Sequence, residues 1–193
     1  MSLPRLKKAL HIQRPETKVK DTLSIATCQT DLTVVDYGTL IPQNLTNLGR
    51  IGKQVVLQSY RVRLNVIPNP TATDPGEVRV VFWYQTYPNS SLMTPSNYLQ
   101  TLNNIQSFRQ FDQTGYRVLY DKVHQFSMTD FRNKYIQLSL PVKGKHIEWT
   151  EADTSGAANN IRQGYIRGAI MYANFGGTAP SYDLWQRVTY TDA

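Results

Sequence analysis

Gly49 to Pro68 reads GRIGKQVVLQSYRVRLNVIP, and its alternation decides the fold. From Gln54 onward, Val56, Tyr60, Val62, Leu64 and Val66 share one parity, while Ser59, Arg61, Arg63 and Asn65 share the other. Successive Cβ atoms of a strand point to opposite sides, so a period of two marks a strand with one buried face. Gly49 and Gly52 bracket Arg50 at its start, and Pro68-Asn69-Pro70 ends it, since proline cannot donate to a ladder. Two arginines on the polar side suit a sheet that meets water or an anion.

The same period recurs outward from this stretch. Residues 21–41 are rich in Thr, Val and Ile and read as one or two strands. Glu77 to Tyr87 sets Val78, Val80, Phe82 and Tyr84 against Glu77, Arg79 and Gln85, with Val81 and Trp83 making the second face half exposed. Tyr116 to Phe126 alternates imperfectly, and a bulge near Asp121 accounts for the break. Lys134 to Val142 places Ile136, Leu138, Leu140 and Val142 on one face, and Tyr182 to Tyr190 turns Leu184, Val188 and Tyr190 inward. Tyr165 to Phe175 is apolar on both sides, so it has neighbours on both. Its residues Tyr165, Ala169, Met171, Ala173 and Phe175 are the expected contacts with a second copy of the chain.

One helix is expected, from Pro95 to Asn104 with Thr94 as its N-cap, inside the long connection from Pro88 to Gly115. About eight strands with long connections and one short helix describe an all-β protein, an eight-stranded jelly roll made of two antiparallel sheets. At 193 residues the chain can bury a core without staples, and its single cysteine, Cys28, excludes an internal disulfide. No apolar stretch reaches the length of a membrane span, and no apolar leader opens the chain.

The formal charge of +7 is unevenly placed. Residues 1–20 carry Arg5, Lys7, Lys8, Arg14, Lys18 and Lys20 against Glu16 alone, a balance of +5. That leaves 15 basic and 13 acidic residues, +2, for residues 21–193. A cationic arm at 1–20 joined to a nearly neutral shell domain at 21–193 predicts a polyanion met by the arm. With five net charges, the expected slope of log K against log salt is about −3.5 for single strands.

Enzyme signatures are missing. His11, His124 and His146 are isolated, and neither a metal-ligand cluster, a G-x-S-x-G elbow, a phosphate-cradling loop nor a dinucleotide fingerprint occurs. Asp121 with Asp130, or Glu148 with Glu151, offers only the carboxylate pairing that any sheet protein contains. Twelve tyrosines and three tryptophans could stack on bases or sugars, although strand parity assigns most of them to packing. Catalysis is not expected.

Several short motifs, in order, resemble a known family. They are Arg50-Ile51-Gly52-Lys53-Gln54-Val55 followed by Ser59, Val80-Val81-Phe82-Trp83, Tyr116-Arg117-Val118-Leu119-Tyr120-Asp121-Lys122, Ile136 to Pro141, and Val188 to Ala193. With Pro15-Glu16-Thr17-Lys18 ahead of Asp21-Thr22, the run is similar to coat proteins of circular single-stranded DNA viruses whose shells resemble that of satellite tobacco necrosis virus. The resemblance implies a virion subunit that assembles inside the host cell, the nucleus included, into a T=1 icosahedral shell. Its arm then faces a single-stranded genome, DNA rather than RNA, and no membrane or cofactor takes part. Family arms are longer and richer in arginine than this one. Calcium can sit at subunit contacts in such shells, and Asp192 stands where a terminal carboxylate ligand falls, although Lys53 disfavours it. The competing expectation is a monomeric or dimeric jelly-roll module that binds carbohydrate or single-stranded nucleic acid.

Overall fold

A computed structural model describes residues 16–30, 34–36, 40–44, 49–74, 76–86, 115–126, 133–150, 154–155, 160–176 and 178–193. The helix expected at 95–104 and residues 1–15 of the arm lie outside them. Ten strands occur in the described residues: β1 (Thr17–Thr27), β2 (Val34–Asp36), β3 (Gln54–Ile67), β4 (Glu77–Gln85), β5 (Tyr116–Gln125), β6 (Lys134–Leu140), β7 (His146–Trp149), β8 (Ile161–Gln163), β9 (Tyr165–Ala173) and β10 (Ser181–Asp192).

All the ladders are antiparallel. One sheet runs β1-β10-β3-β7-β8, with β6 also on β3, and the other runs β2-β9-β4-β5. β6 and β7 lie along the same edge of β3, against Tyr60–Val66 and Gln54–Val56 respectively, so they are one line of pairing broken at residues 141–145. The pairings then nest: β1 with β10, β2 with β9, β3 with β6 and β7, β4 with β5. This is a long hairpin folded back on itself, and the β10–β3 and β9–β4 ladders form where it rolls up. Two sheets made in this way are a jelly roll. The alternation in β3, β4, β6 and β10 therefore led to the right architecture.

The core lies between the sheets. Val62, Leu64 and Val66 of β3 and Leu184 and Val188 of β10 meet Val78, Val80 and Phe82 of β4 and Ile166 and Ile170 of β9, all buried. The Tyr60 and Phe82 rings meet edge to face across the gap, with centroids 6.4 Å apart. Each large side chain removed from water here stabilises the fold by about 1.5–3 kcal/mol before entropy is counted.

Two bulges correct the parity read from the sequence. On β3 the register passes from Ser59↔Thr189 to Leu57↔Tyr190, leaving Gln58 unpaired. One extra residue flips every side chain beyond it. Val55 and Leu57 are consequently buried, and Val56, assigned inward by simple alternation, is not. On β5 the extra residue is Leu119, two positions before the Asp121 expectation, because Phe82↔Tyr120 is followed by Trp83↔Val118.

The chain changes sheets at Gly164, between β8 and β9. Its φ is +71°, and a Cβ there would stand 1.8 Å from the His146 carbonyl oxygen and 2.7 Å from the Tyr84 hydroxyl. The Gly164 N–H donates to Thr86 O at 2.9 Å, and the Tyr84 hydroxyl donates to His146 O at 2.8 Å, which closes that end of the sandwich. Only glycine fits a backbone packed this closely with a left-handed φ.

Candidate nucleic-acid interface

Of the six basic residues expected in the arm, Arg5, Lys7, Lys8 and Arg14 lie outside the described residues, while Lys18 and Lys20 belong to the sheet. β1 starts at Thr17, so the fold begins inside the stretch read as arm. Lys18 points inward and is 2% exposed, its ammonium donating to Gly49 O at 2.9 Å and pairing with Asp192 Oδ2 at 2.8 Å. The Lys20 ammonium donates to Leu40 O, and burial pushes its pKa down. Lys18 is thus held in a buried ion pair, and partly buried Lys20 on a backbone carbonyl. The alternating side chains of β1 turn positions 18 and 20 toward the interior, which a charge count cannot detect.

Asp192 is equally committed. Its Oδ1 accepts the Ile51 N–H at 3.0 Å, and the Lys18 ammonium already occupies its other oxygen. Both oxygens of the Asp192 carboxylate are thus engaged within the chain. Among the described residues, no group of three or more His, Cys, Asp and Glu side chains could hold a metal ion. Nearby Arg50 is also internal: Nε donates to Ile41 O at 3.2 Å, Nη1 donates to Gly52 O, and the guanidinium lies 4.4 Å from the Trp149 ring centroid.

The expected subunit contacts on β9 require correction. Tyr165 and Phe175 belong to the sandwich core. Ala169 and Met171 form a second buried cluster with Val81 and Trp83 on the other face of the four-stranded sheet. That face also buries Arg79, which holds the Asp121 carboxylate through two hydrogen bonds of 2.8 Å. It is not half exposed. A side chain already buried within one chain has no area to give to another, so only Ala173, partly exposed, remains available.

The exposed chemistry gathers instead on the outer face of the six-stranded sheet, where three rows of side chains cross β1, β10, β3 and β6. Leu23, Trp185, Arg63 and Gln137 make one row. Asp21, Arg187, Arg61 and Ser139 make the row on one side of it, and Ile25, Asp183, Asn65 and Tyr135 the row on the other. A groove of about 690 Å³ runs over most of them, lined by Asp21, Arg61, Arg63, Tyr135, Asp183 and Trp185 among others.

Trp185 is 55% exposed and Tyr135 73%, whereas Trp83 and Trp149 are buried. The packing expectation therefore holds for two tryptophans and fails for the third. Trp185 shares the outward parity of β10 with Asp183 and Arg187, and that signal was legible once Leu184 and Val188 were turned inward. Arg61 and Arg63 are exposed and make no ion pair or hydrogen bond with a described residue. Arg187 is spoken for: it grips Asp21 at 2.7 and 2.6 Å, which holds the Asp21 carboxyl below its usual range. The face thus combines two open guanidinium groups with two open aromatic rings, the residue types that bind phosphates and stack on bases.

No protein-family model matches the chain, and no curated protein matches it. Among solved structures it is similar to an empty-head form of turnip yellow mosaic virus, with a TM-score of 0.45, 11% identity, and coverage of 100% of this chain and 89% of that one. A second turnip yellow mosaic virus structure gives a TM-score of 0.45, 12% identity, and coverage of 100% and 87%. The 60-mer of BFDV capsid protein gives a TM-score of 0.39, 7% identity, and coverage of 93% and 94%. The jelly-roll assignment rests on the strand ladders and not on these likenesses.

Proposed function

We propose that this chain is a viral coat protein, a subunit that closes with identical copies into a small icosahedral shell around a single-stranded genome. The carrying observation is the nested strand order of the jelly roll, found on a chain whose motifs follow one another as they do in the coat proteins it resembles. A rigid sandwich of this kind presents the same edges and loops on every copy, and closed symmetry turns modest pairwise contacts into a stable container.

Charge placement supports the packaging role. Arg5, Lys7, Lys8 and Arg14 stand against Glu16 alone over positions 1–16, a balance of +3 just before the sheet begins at Thr17. With Lys18 and Lys20 drawn into the fold, the arm's net charge falls from +5 to +3 and its salt slope from about −3.5 to about −0.7 × 3, or −2.1. A T=1 shell and a DNA genome are the finer form of the reading, following the arm-to-shell motif Pro15-Glu16-Thr17-Lys18.

Negative-stain microscopy with light scattering of the purified chain tests the proposal. Hollow particles of uniform diameter are expected, and nuclease-resistant nucleic acid should co-purify with them. A small species that binds oligonucleotides without forming particles would favour the single-strand-binding module instead.

A further inference from the structure

We infer that the groove on the outer face of the six-stranded sheet seats unpaired bases of single-stranded nucleic acid, with Trp185 and Tyr135 as stacking platforms, Arg63 holding the phosphate between them and Arg61 the next phosphate, on the far side of the Trp185 row. The inference deepens the coat-protein reading and rests on it for the nature of the partner.

The spacing follows from the ladders. Trp185 on β10 and Tyr135 on β6 are separated by β3, two inter-strand steps of about 4.8 Å, and by one row along the strands, about 6.8 Å. Their backbone positions are therefore about 12 Å apart, which gives each ring room for its own base. β3 carries Arg63 in the row of Trp185 and Arg61 one row beyond it, on the side away from Tyr135, so both open guanidinium groups stand on the central strand of the groove.

Three arginines stand against Asp21 and Asp183 on this face, and the Asp21–Arg187 pair cancels itself, leaving Arg61 and Arg63 against Asp183. Asp183 also accepts a long 3.5 Å hydrogen bond from Asn65. The residual charge is positive but small. Attraction alone is therefore weak here, and stacking carries the difference. A duplex shows only the edges of its bases to a protein, whereas a single strand can offer the ring faces that Trp185 and Tyr135 require. The groove consequently discriminates strand state, a property the basic arm lacks.

The test uses the full chain and two probes, an oligothymidylate and a mixed-sequence duplex of equal length. Because Trp83 and Trp149 are buried, quenching of tryptophan fluorescence reports chiefly on Trp185. The single strand should quench it and the duplex should not. Trp185→Ala should lower single-strand affinity fivefold or more while leaving duplex affinity within twofold, and Trp185→Phe should restore most of the loss. Arg61→Ala with Arg63→Ala should flatten the salt slope by about 1.4. Neutralising Arg5, Lys7, Lys8 and Arg14 should weaken both probes alike and leave the quench in place. Equal losses for the two probes on Trp185→Ala, or no quench at saturating oligothymidylate, would overturn the inference. Particles that form without any quench would refute the groove and leave the coat-protein reading standing; a quench on a chain that never assembles would do the reverse.

Discussion

Replacing Asp192 by alanine strands the Lys18 ammonium inside the protein, and this single change separates a structural Lys18 from a genome-binding one. Lys18 is 2% exposed, and after the substitution its only remaining described partner is Gly49 O at 2.9 Å. Removing one member of a fully buried ion pair costs about 3–5 kcal/mol. The Asp192 side chain is 23% exposed, so water already screens part of the interaction, and about 2–3 kcal/mol is the appropriate range here. Lys18→Met should cost less, about 1–2 kcal/mol, because the orphaned carboxylate can turn to solvent and keeps the Ile51 N–H, while Gly49 O loses its donor. The double variant leaves no buried charge and should lose at least about 1 kcal/mol less than the sum of the two single losses.

For a chain of 193 residues, 1 kcal/mol moves the unfolding midpoint by about 2–4 °C. Asp192→Ala should therefore melt about 5–10 °C lower by circular dichroism, with Lys18→Met roughly half as far. Oligonucleotide affinity of Lys18→Met should stay within twofold of the parent. Lys7→Ala with Lys8→Ala should show the opposite pattern, weaker binding and an unchanged midpoint. If Lys18→Met weakened nucleic-acid binding and left the midpoint in place, the inward placement of β1 would be wrong.

Gly164→Ala combines a left-handed φ with a Cβ 1.8 Å from His146 O, so destabilisation of at least about 3 kcal/mol is expected in urea unfolding; a midpoint within error of the parent would refute the sheet-crossing geometry. Arg79→Met should cost about 3–5 kcal/mol by leaving the Asp121 carboxylate buried, and adding Asp121→Leu should recover a measurable part of that. His124 titrates below its usual range because of burial and then the nearby Lys134 and Lys122 charges. The unfolded chain thus binds a proton at a higher pH than the folded one, and stability is full above about 6.5 and falls as the pH drops from there toward the folded value. His124→Gln should flatten stability against pH in that window, and an unchanged slope would contradict the assignment.

The two sheets were legible because their central strands alternate cleanly: β3 beyond the bulge, β6 and β10 each show one buried parity. The bulges at Gln58 and Leu119 were not, since an inserted residue changes register without changing composition. β9 exposes a different gap. Its two apolar faces were correctly read as covered on both sides, but a pattern cannot say whether the cover comes from the same chain or another, and Ala169 and Met171 are buried within their own chain. The Lys18–Asp192 contact joins positions 174 residues apart, so no local window relates them. Trp185 stands in the opposite case, because the parity that turned Leu184 and Val188 inward had already turned it outward.

On the proposed reading, many copies of this sandwich close on one another around a polyanion. Sedimentation velocity of the full chain, with and without added single-stranded DNA under assembly-favouring salt and pH, measures it most directly. A single fast boundary with the mass of a closed shell, carrying nucleic-acid absorbance, is expected. A slow boundary at the mass of one or two chains, unmoved by DNA, would contradict it.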